Sequence, residues 1–227
     1  MTTLDYFQIL ALQSGGQSPF TAAEKKYISD NLLIISGPKA SGKTTICAIL
    51  SADYSMRFIP LITTRSKRRN EIEGRDLLYY DHDLFQYGLR TKEFLIAYRI
   101  RVSLNEWKET GISVYSFKAA IRSGKKILIS MSANAIPLIL NDFPNAKVII
   151  VFPGDHQTLV AKRPDIQKIA DLGEQTVFGT LNEAPLLPLS QIYFVENKPG
   201  EPERTAQQIT EFFQIKKQIA VPTVFNF

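Results

Sequence analysis

A chain of 227 residues, 44% hydrophobic and 22% charged, has the length for one α/β domain with a proper core and the composition of an ordinary globular protein. Its formal charge of +5 suits phosphate-rich ligands but is too small to argue alone for nucleic-acid or membrane binding. Cys47 is the single cysteine, which excludes an internal disulfide and a cysteine-based metal cluster, and no apolar run reaches membrane-spanning length.

Residues 1–30 read as an N-terminal extension, expected to be helical. The run LDYFQILALQ (4–13) has helical apolar spacing, SGGQSP breaks it, and Thr21 with Glu24 forms a capping box for a second helix. Asp5 and the lack of an early basic residue make this a poor signal peptide, so a cytoplasmic location is expected.

NLLIIS (31–36) is a short apolar run of the kind a buried parallel strand needs. It leads into SGPKASGKTT, in which Gly37 to Thr44 spell G-x-x-x-x-G-K-T. Glycines let main-chain N–H groups approach an anion, so Gly37, Lys39, Ala40, Ser41, Gly42, Lys43, Thr44 and Thr45 are expected to cradle the phosphates of a nucleotide. Lys43 is placed to reach the β- and γ-phosphates, and the Thr44 hydroxyl to take one position on Mg²⁺. A helix over about 43–51 directs its positive end at the same anion, and Cys47 on it is expected to be a buried core thiol.

Downstream, strand-like and helical segments alternate, which predicts a parallel sheet covered by helices. Strands are expected at 126–131, 147–152 and 191–195, and helices at 116–123, 133–140 and 204–217. The stretch 57–107, rich in aromatic and basic residues, reads as an inserted lobe facing the substrate, with Trp107 in its core. EAPLLPLS (183–190) carries two prolines and is expected to be a connection. The apolar tail 218–227 is expected to dock on the domain or on a neighbour. His82 and His156 are expected at the surface rather than in catalysis.

Within the lobe, Arg65, Lys67, Arg68 and Arg69 crowd one short loop, and arginine forks match phosphate oxygens. Together with the glycine loop this segment resembles the guanylate kinase family. That family carries T-T-R-x-x-R-x-x-E-x-x-G-x-D-Y, an acidic stretch and a phenylalanine. Thr64, Arg65, Arg68, Glu71, Gly74, Asp76 and Phe85 stand at the matching spacing. SFKAAIRSGKKILISMSANA, NAKVIIVFP and YFVEN extend the resemblance over about 31–217.

The resemblance implies a P-loop NTPase fold: a three-layer α/β arrangement on a parallel sheet, with an acceptor-binding lobe at 57–107 and a short lid at 155–182. It implies ATP and Mg²⁺ as cofactors and phosphoryl transfer to a small phosphorylated acceptor of the GMP type. Arg65 and Arg68 would bind the acceptor phosphate, supported by Glu71, and Arg163 would shield the transferring group from the lid.

The departures fall on the acceptor side. The family's phosphate-binding tyrosine is Leu77 here, its acidic base reader is Ile96, and a tyrosine of its Y-Y-G-[ST] segment is Val114, while Ser116 keeps the hydroxyl. Its D-x-D is replaced by Ser130 and Ser132, and a serine hydroxyl discriminates guanine far less than a carboxylate. The lid region offers only Lys162, Arg163 and Lys168. Three readings stay open: a kinase acting on a phosphorylated acceptor, including a ribose bisphosphate; an inactive module that binds nucleotide and a protein partner; and a nucleotide-dependent switch. None calls for nucleic acid or a membrane as partner.

Overall fold

The computed structural model describes residues 7–13, 18–37, 41–103, 106–153 and 192–215. In chain order the elements are β1 (Phe7–Leu12), α1 (Ala22–Asn31), β2 (Leu32–Ser36), α2 (Lys43–Asp53), β3 (Arg57–Phe58), β4 (Leu61–Thr63), β5 (Leu77–Tyr79) and α3 (His82–Arg90). There follow β6 (Phe94–Ser103), β7 (Glu106–Ser113), α4 (Val114–Arg122), β8 (Ile127–Ser130), a 3₁₀ turn (Ala133–Ala135), α5 (Ile136–Asp142), β9 (Lys147–Pro153), β10 (Ile192–Asn197) and α6 (Pro202–Phe212).

The main sheet has the order β10-β9-β2-β8-β3, with every pairing parallel. β2 is its centre, and all five of its residues are buried because helices or the second sheet cover both faces. One face packs on α2 and α6 through Leu33, Ile35, Ile46, Leu50, Val195 and Ile209. This is the parallel sheet of a mixed α/β protein that the alternation of segments predicts, in the P-loop NTPase-like fold that the resemblance implies.

The second sheet has the order β1-β6-β7-β4-β5 and is mixed. Its outer face packs on α3 through Ile62, Phe85, Phe94 and Ala97, with the Phe85 and Phe94 rings stacked at 4.6 Å. Gly111 is required there, since an added Cβ would stand 2.5 Å from Phe94 Cδ1. The inner face joins the main sheet in one continuous apolar cluster that includes Leu61, Ile96, Tyr98, Ile34, Ile129 and Ile150. Trp107, expected in the lobe core, is half-buried instead, with the Arg99 guanidinium 4.7 Å from its ring centre.

The N-terminal segment departs from its predicted helix. Residues 7–12 form a strand antiparallel to β6, with Phe7 opposite Ile100 and Gln8 opposite Arg99. A short apolar run fits both periods, and here the open edge of the long β6–β7 hairpin decides between them. Phe7 gains a ring contact with Tyr98 at 5.1 Å that an isolated helix could not offer. The capping box of α1 is present: Glu24 N–H donates to Thr21 Oγ1 at 3.2 Å, and Thr21 N–H donates to Glu24 Oε2 at 2.8 Å.

Candidate nucleotide and phosphate site

β2 delivers the chain to the loop at Ser36, whose buried hydroxyl donates to the Met131 carbonyl at 2.9 Å. Gly37 has φ +140°, and a Cβ there would lie 2.0 Å from the Val151 carbonyl oxygen, so β9 passes too close for any side chain. Gly42 caps α2 in the left-handed region at φ +86°. The first residue of α2 is Lys43. Its ammonium turns back over the loop and donates to the Gly37 carbonyl at 2.9 Å and the Ser41 hydroxyl at 3.3 Å. Burial pulls its pKa down to about 8, which marks a cation held out of water. Thr44 and Thr45 are exposed in the same first turn, beside the helix N-terminus. Lys39 and Ala40 lie outside the described residues.

Two residues that sequence reasoning passed over hold this loop. Asn197, at the end of β10, donates from Nδ2 to the Ser41 carbonyl at 2.9 Å, and its Oδ1 accepts from the Thr205 hydroxyl of α6 at 2.9 Å. A Cβ at Gly42 would fall 2.2 Å from Asn197 Nδ2. The signal for this was the polar residue closing YFVEN, where an apolar strand reaches the loop end of the sheet.

Cys47 lies one turn beyond Lys43 and is buried, as expected. Burial pushes its thiol up to about 12, so it stays protonated, with the side chain of Ser130 facing it. Ser130 thus sits beneath the loop, next to α2. Ser132 lies just past the end of β8, close to the fully buried Tyr98, whose phenol burial pushes well up.

The arginine loop leaves β4 directly. Arg65 and Glu71 form a two-pronged pair: Nη1 donates to Oε2 at 2.7 Å, and Nη2 donates to Oε1. Tyr79 Oη donates to Glu71 Oε2 at 2.7 Å, and the Arg65 guanidinium lies 5.7 Å from the Tyr79 ring centre. Arg68 N–H donates to Glu71 Oε2 at 2.8 Å. The Arg68 guanidinium is 3.8 Å from Glu71 and its side chain is 62% exposed, against 13% for Arg65. Hydrogen bonds from Arg65, outweighing desolvation, take the Glu71 carboxyl down to about 2. The loop is therefore a prearranged cationic fork, with Arg65 fixed by its carboxylate and Arg68 projecting into solvent.

Tyr79 went unnoticed at the sequence level because the family tyrosine aligns on Leu77. Residues 77 and 79 share one face of β5, since side chains alternate along a strand. The register extends that face across the sheet. Leu77, Leu61, Ile112 and Ile96 form one apolar row, and Tyr79, Thr63, Thr110 and Tyr98 the next. Ser116 is half-buried on α4, one residue past the exposed Tyr115, and Val114 is buried. On the opposite face Glu109 is buried, and its carboxylate accepts from Gln86 Nε2 at 3.1 Å, with His82 Nδ1 at 3.2 Å. His82 itself is largely exposed, as expected. Arg163, Lys162, Lys168 and His156, with the whole expected lid, lie outside the described residues.

No family model matches the chain. Among curated proteins it is similar to guanylate kinases. The guanylate kinase of Trichodesmium erythraeum is 27% identical over 128 residues, 54% of this chain and 63% of that protein. That of Symbiobacterium thermophilum is 26% identical over 163 residues, 68% and 70%. That of Synechocystis sp. is 23% identical over 188 residues, 72% and 93%. The chain thus spans a little under two thirds of the first of these relatives and more of the other two. Among solved structures, a guanylate kinase from Anaplasma phagocytophilum has the same fold, with a TM-score of 0.56 at 15% identity over 83% of this chain and 87% of that one.

Proposed function

We propose that this divergent guanylate kinase-like chain transfers a phosphoryl group from ATP to a small phosphorylated acceptor. The reading is carried by one observation, the Lys43 ammonium drawn down over a glycine loop at the N-terminus of α2. A cation kept there against the cost of burial has a use when it meets phosphate. In this reading the amides of residues 39–44 and Lys43 hold the donor phosphates. The exposed Thr44 hydroxyl is a hard oxygen donor of the kind Mg²⁺ accepts, and the ion when bound would supply charge neutralisation on the phosphates.

Arg65, fixed by Glu71 and Tyr79, clamps the acceptor phosphate, and Arg68 closes on it from solvent. Arg163 shields the transferring group. No residue need act as a strong base, because an acceptor phosphate is already anionic near neutral pH. The work of the protein is positioning and electrostatic stabilisation.

The relatives' name points to a GMP-type acceptor. Ser116, Ser130 and Ser132 offer its base only neutral partners, so base recognition is degenerate and ribose 1,5-bisphosphate is an alternative acceptor. Those neutral positions also support a second reading, an inactive module that binds nucleotide and a protein. Mg·ATP supplied with GMP, dGMP, AMP, UMP, CMP and ribose 1,5-bisphosphate separates the two. Transfer to one acceptor, abolished by Lys43→Ala and by Arg65→Ala, is the expected result. Nucleotide binding without transfer to any of them would favour the binding module.

A further inference from the structure

The inner face of the second sheet says how much of an acceptor fits, granted the kinase reading above. Arg65 and Tyr79 stand at one end of a cross-strand row, Thr63 and Thr110 form its middle, and Tyr98 ends it on β6. Three strand spacings of about 4.8 Å separate Tyr79 from Tyr98. The next row, towards the main sheet, is the buried apolar one that starts at Leu77. Along β6 and β1 the wall continues with Ile100 and Phe7, and the Phe7 ring rests on Tyr98.

Tyr98 does more than bound this floor. It is 1% exposed and belongs to the cluster that joins the two sheets. It shares that cluster with Met131 and Ala133, which flank Ser132 just past the end of β8. The ground between β6 and the end of β8 is therefore occupied by a side chain of the protein itself. Thr63 is buried with its hydroxyl donated to the Glu109 carbonyl, so an acceptor whose phosphate sits on Arg65 would lie against the half-buried Thr110, and a planar base carried beyond it would meet Tyr98.

We infer that Tyr98 is a specificity-determining residue that closes the acceptor site to a nucleobase, so that the acceptor is a compact phosphate ester of a polyol read through its phosphate. The β1 strand deepens the effect, because Phe7 backs Tyr98 and removing the tyrosine from its place would break contacts on both sheets.

GMP and ribose 5-phosphate share the same sugar phosphate and differ by the guanine, so their comparison isolates the base. Titration calorimetry on the full chain with each compound, in wild type and Arg65→Ala, is the test. The expected result is that ribose 5-phosphate binds at least tenfold tighter than GMP, and that its binding weakens by at least tenfold in Arg65→Ala. GMP binding as tightly as ribose 5-phosphate, or more tightly, would overturn the role of Tyr98 while leaving the kinase reading intact. Binding of neither would sink the acceptor site and the kinase reading with it. In Tyr98→Ala, with folding checked by its thermal transition, GMP affinity is expected to rise at least fivefold while that of ribose 5-phosphate stays unchanged. A folded variant with unaltered GMP binding also contradicts the inference.

Discussion

Asn197 and Ser41 lie 156 positions apart in sequence and are joined by a 2.9 Å hydrogen bond from the Asn197 amide to the Ser41 carbonyl. Through Thr205 the same amide is tied to the first turns of α6. The conformation of the phosphate loop is thus set partly by the far end of the chain.

This coupling gives a double-mutant test. Asn197→Ala removes two hydrogen bonds and is expected to cost about 1–3 kcal/mol, read as a lower thermal midpoint. Gly42→Ala adds a Cβ 2.2 Å from Asn197 Nδ2 on a left-handed backbone, and is expected to cost more than the backbone alone. With Asn197→Ala already present, only the backbone strain of about 1–2 kcal/mol remains. The two changes should therefore be less than additive, and strict additivity would show that the amide does not constrain the loop.

Lys43 illustrates a site that lowers the stability of the fold. Its ammonium is held among loop groups and burial disfavours its charge. Lys43→Met keeps the length of the side chain and removes the charge. The free protein is expected to be as stable as wild type or up to about 1 kcal/mol more stable, while nucleotide binding is lost. Thermal melts with and without Mg·ATP check both halves. A variant that loses stability but keeps the ATP-induced shift would contradict this role.

Glu71 gives the acid limb of stability a specific origin. Its carboxyl is lowered in the folded state to about 2 from an ordinary value of 4.5, chiefly by the hydrogen bonds from Arg65. Between those values the unfolded chain binds more protons than the folded one, so stability rises with pH there. The contribution is fully present above about pH 4.5 and is lost as pH falls towards 2. Denaturant unfolding of Glu71→Gln is expected to show a shallower fall over that window than wild type. Parallel curves would mean that the pair with Arg65 adds nothing to folding.

The main sheet was legible in the sequence because its strands are buried on both faces and read as unbroken apolar runs, as in β2 and β9. The glycine loop was legible for a different reason: Gly37 and Gly42 answer to backbone geometry that few other residues tolerate. The segment at 7–12 was misread because six residues cannot separate a helical from a strand period, and the partner that decides, β6, lies about 90 residues away. Trp107 was misplaced because a hairpin ring can be covered by an arginine such as Arg99 instead of by a core. Arg65, Arg68 and Glu71 stood out because their spacing matches the guanylate kinase segment, and the structure brings the three together. Tyr79, Asn197 and Tyr98 could not, since their roles arise from register and from chain crossings that one-dimensional spacing does not carry.

Phosphoryl transfer itself is the most direct test. With Mg·ATP and ribose 5-phosphate or ribose 1,5-bisphosphate in excess, phosphorylated product and ADP should appear in equal amounts. Both should vanish in Lys43→Ala and in Arg65→Ala, although Arg65→Ala still binds ATP. Tight ATP binding with no ADP formed above background for any phosphorylated acceptor would contradict a kinase and leave the chain as a nucleotide-binding module.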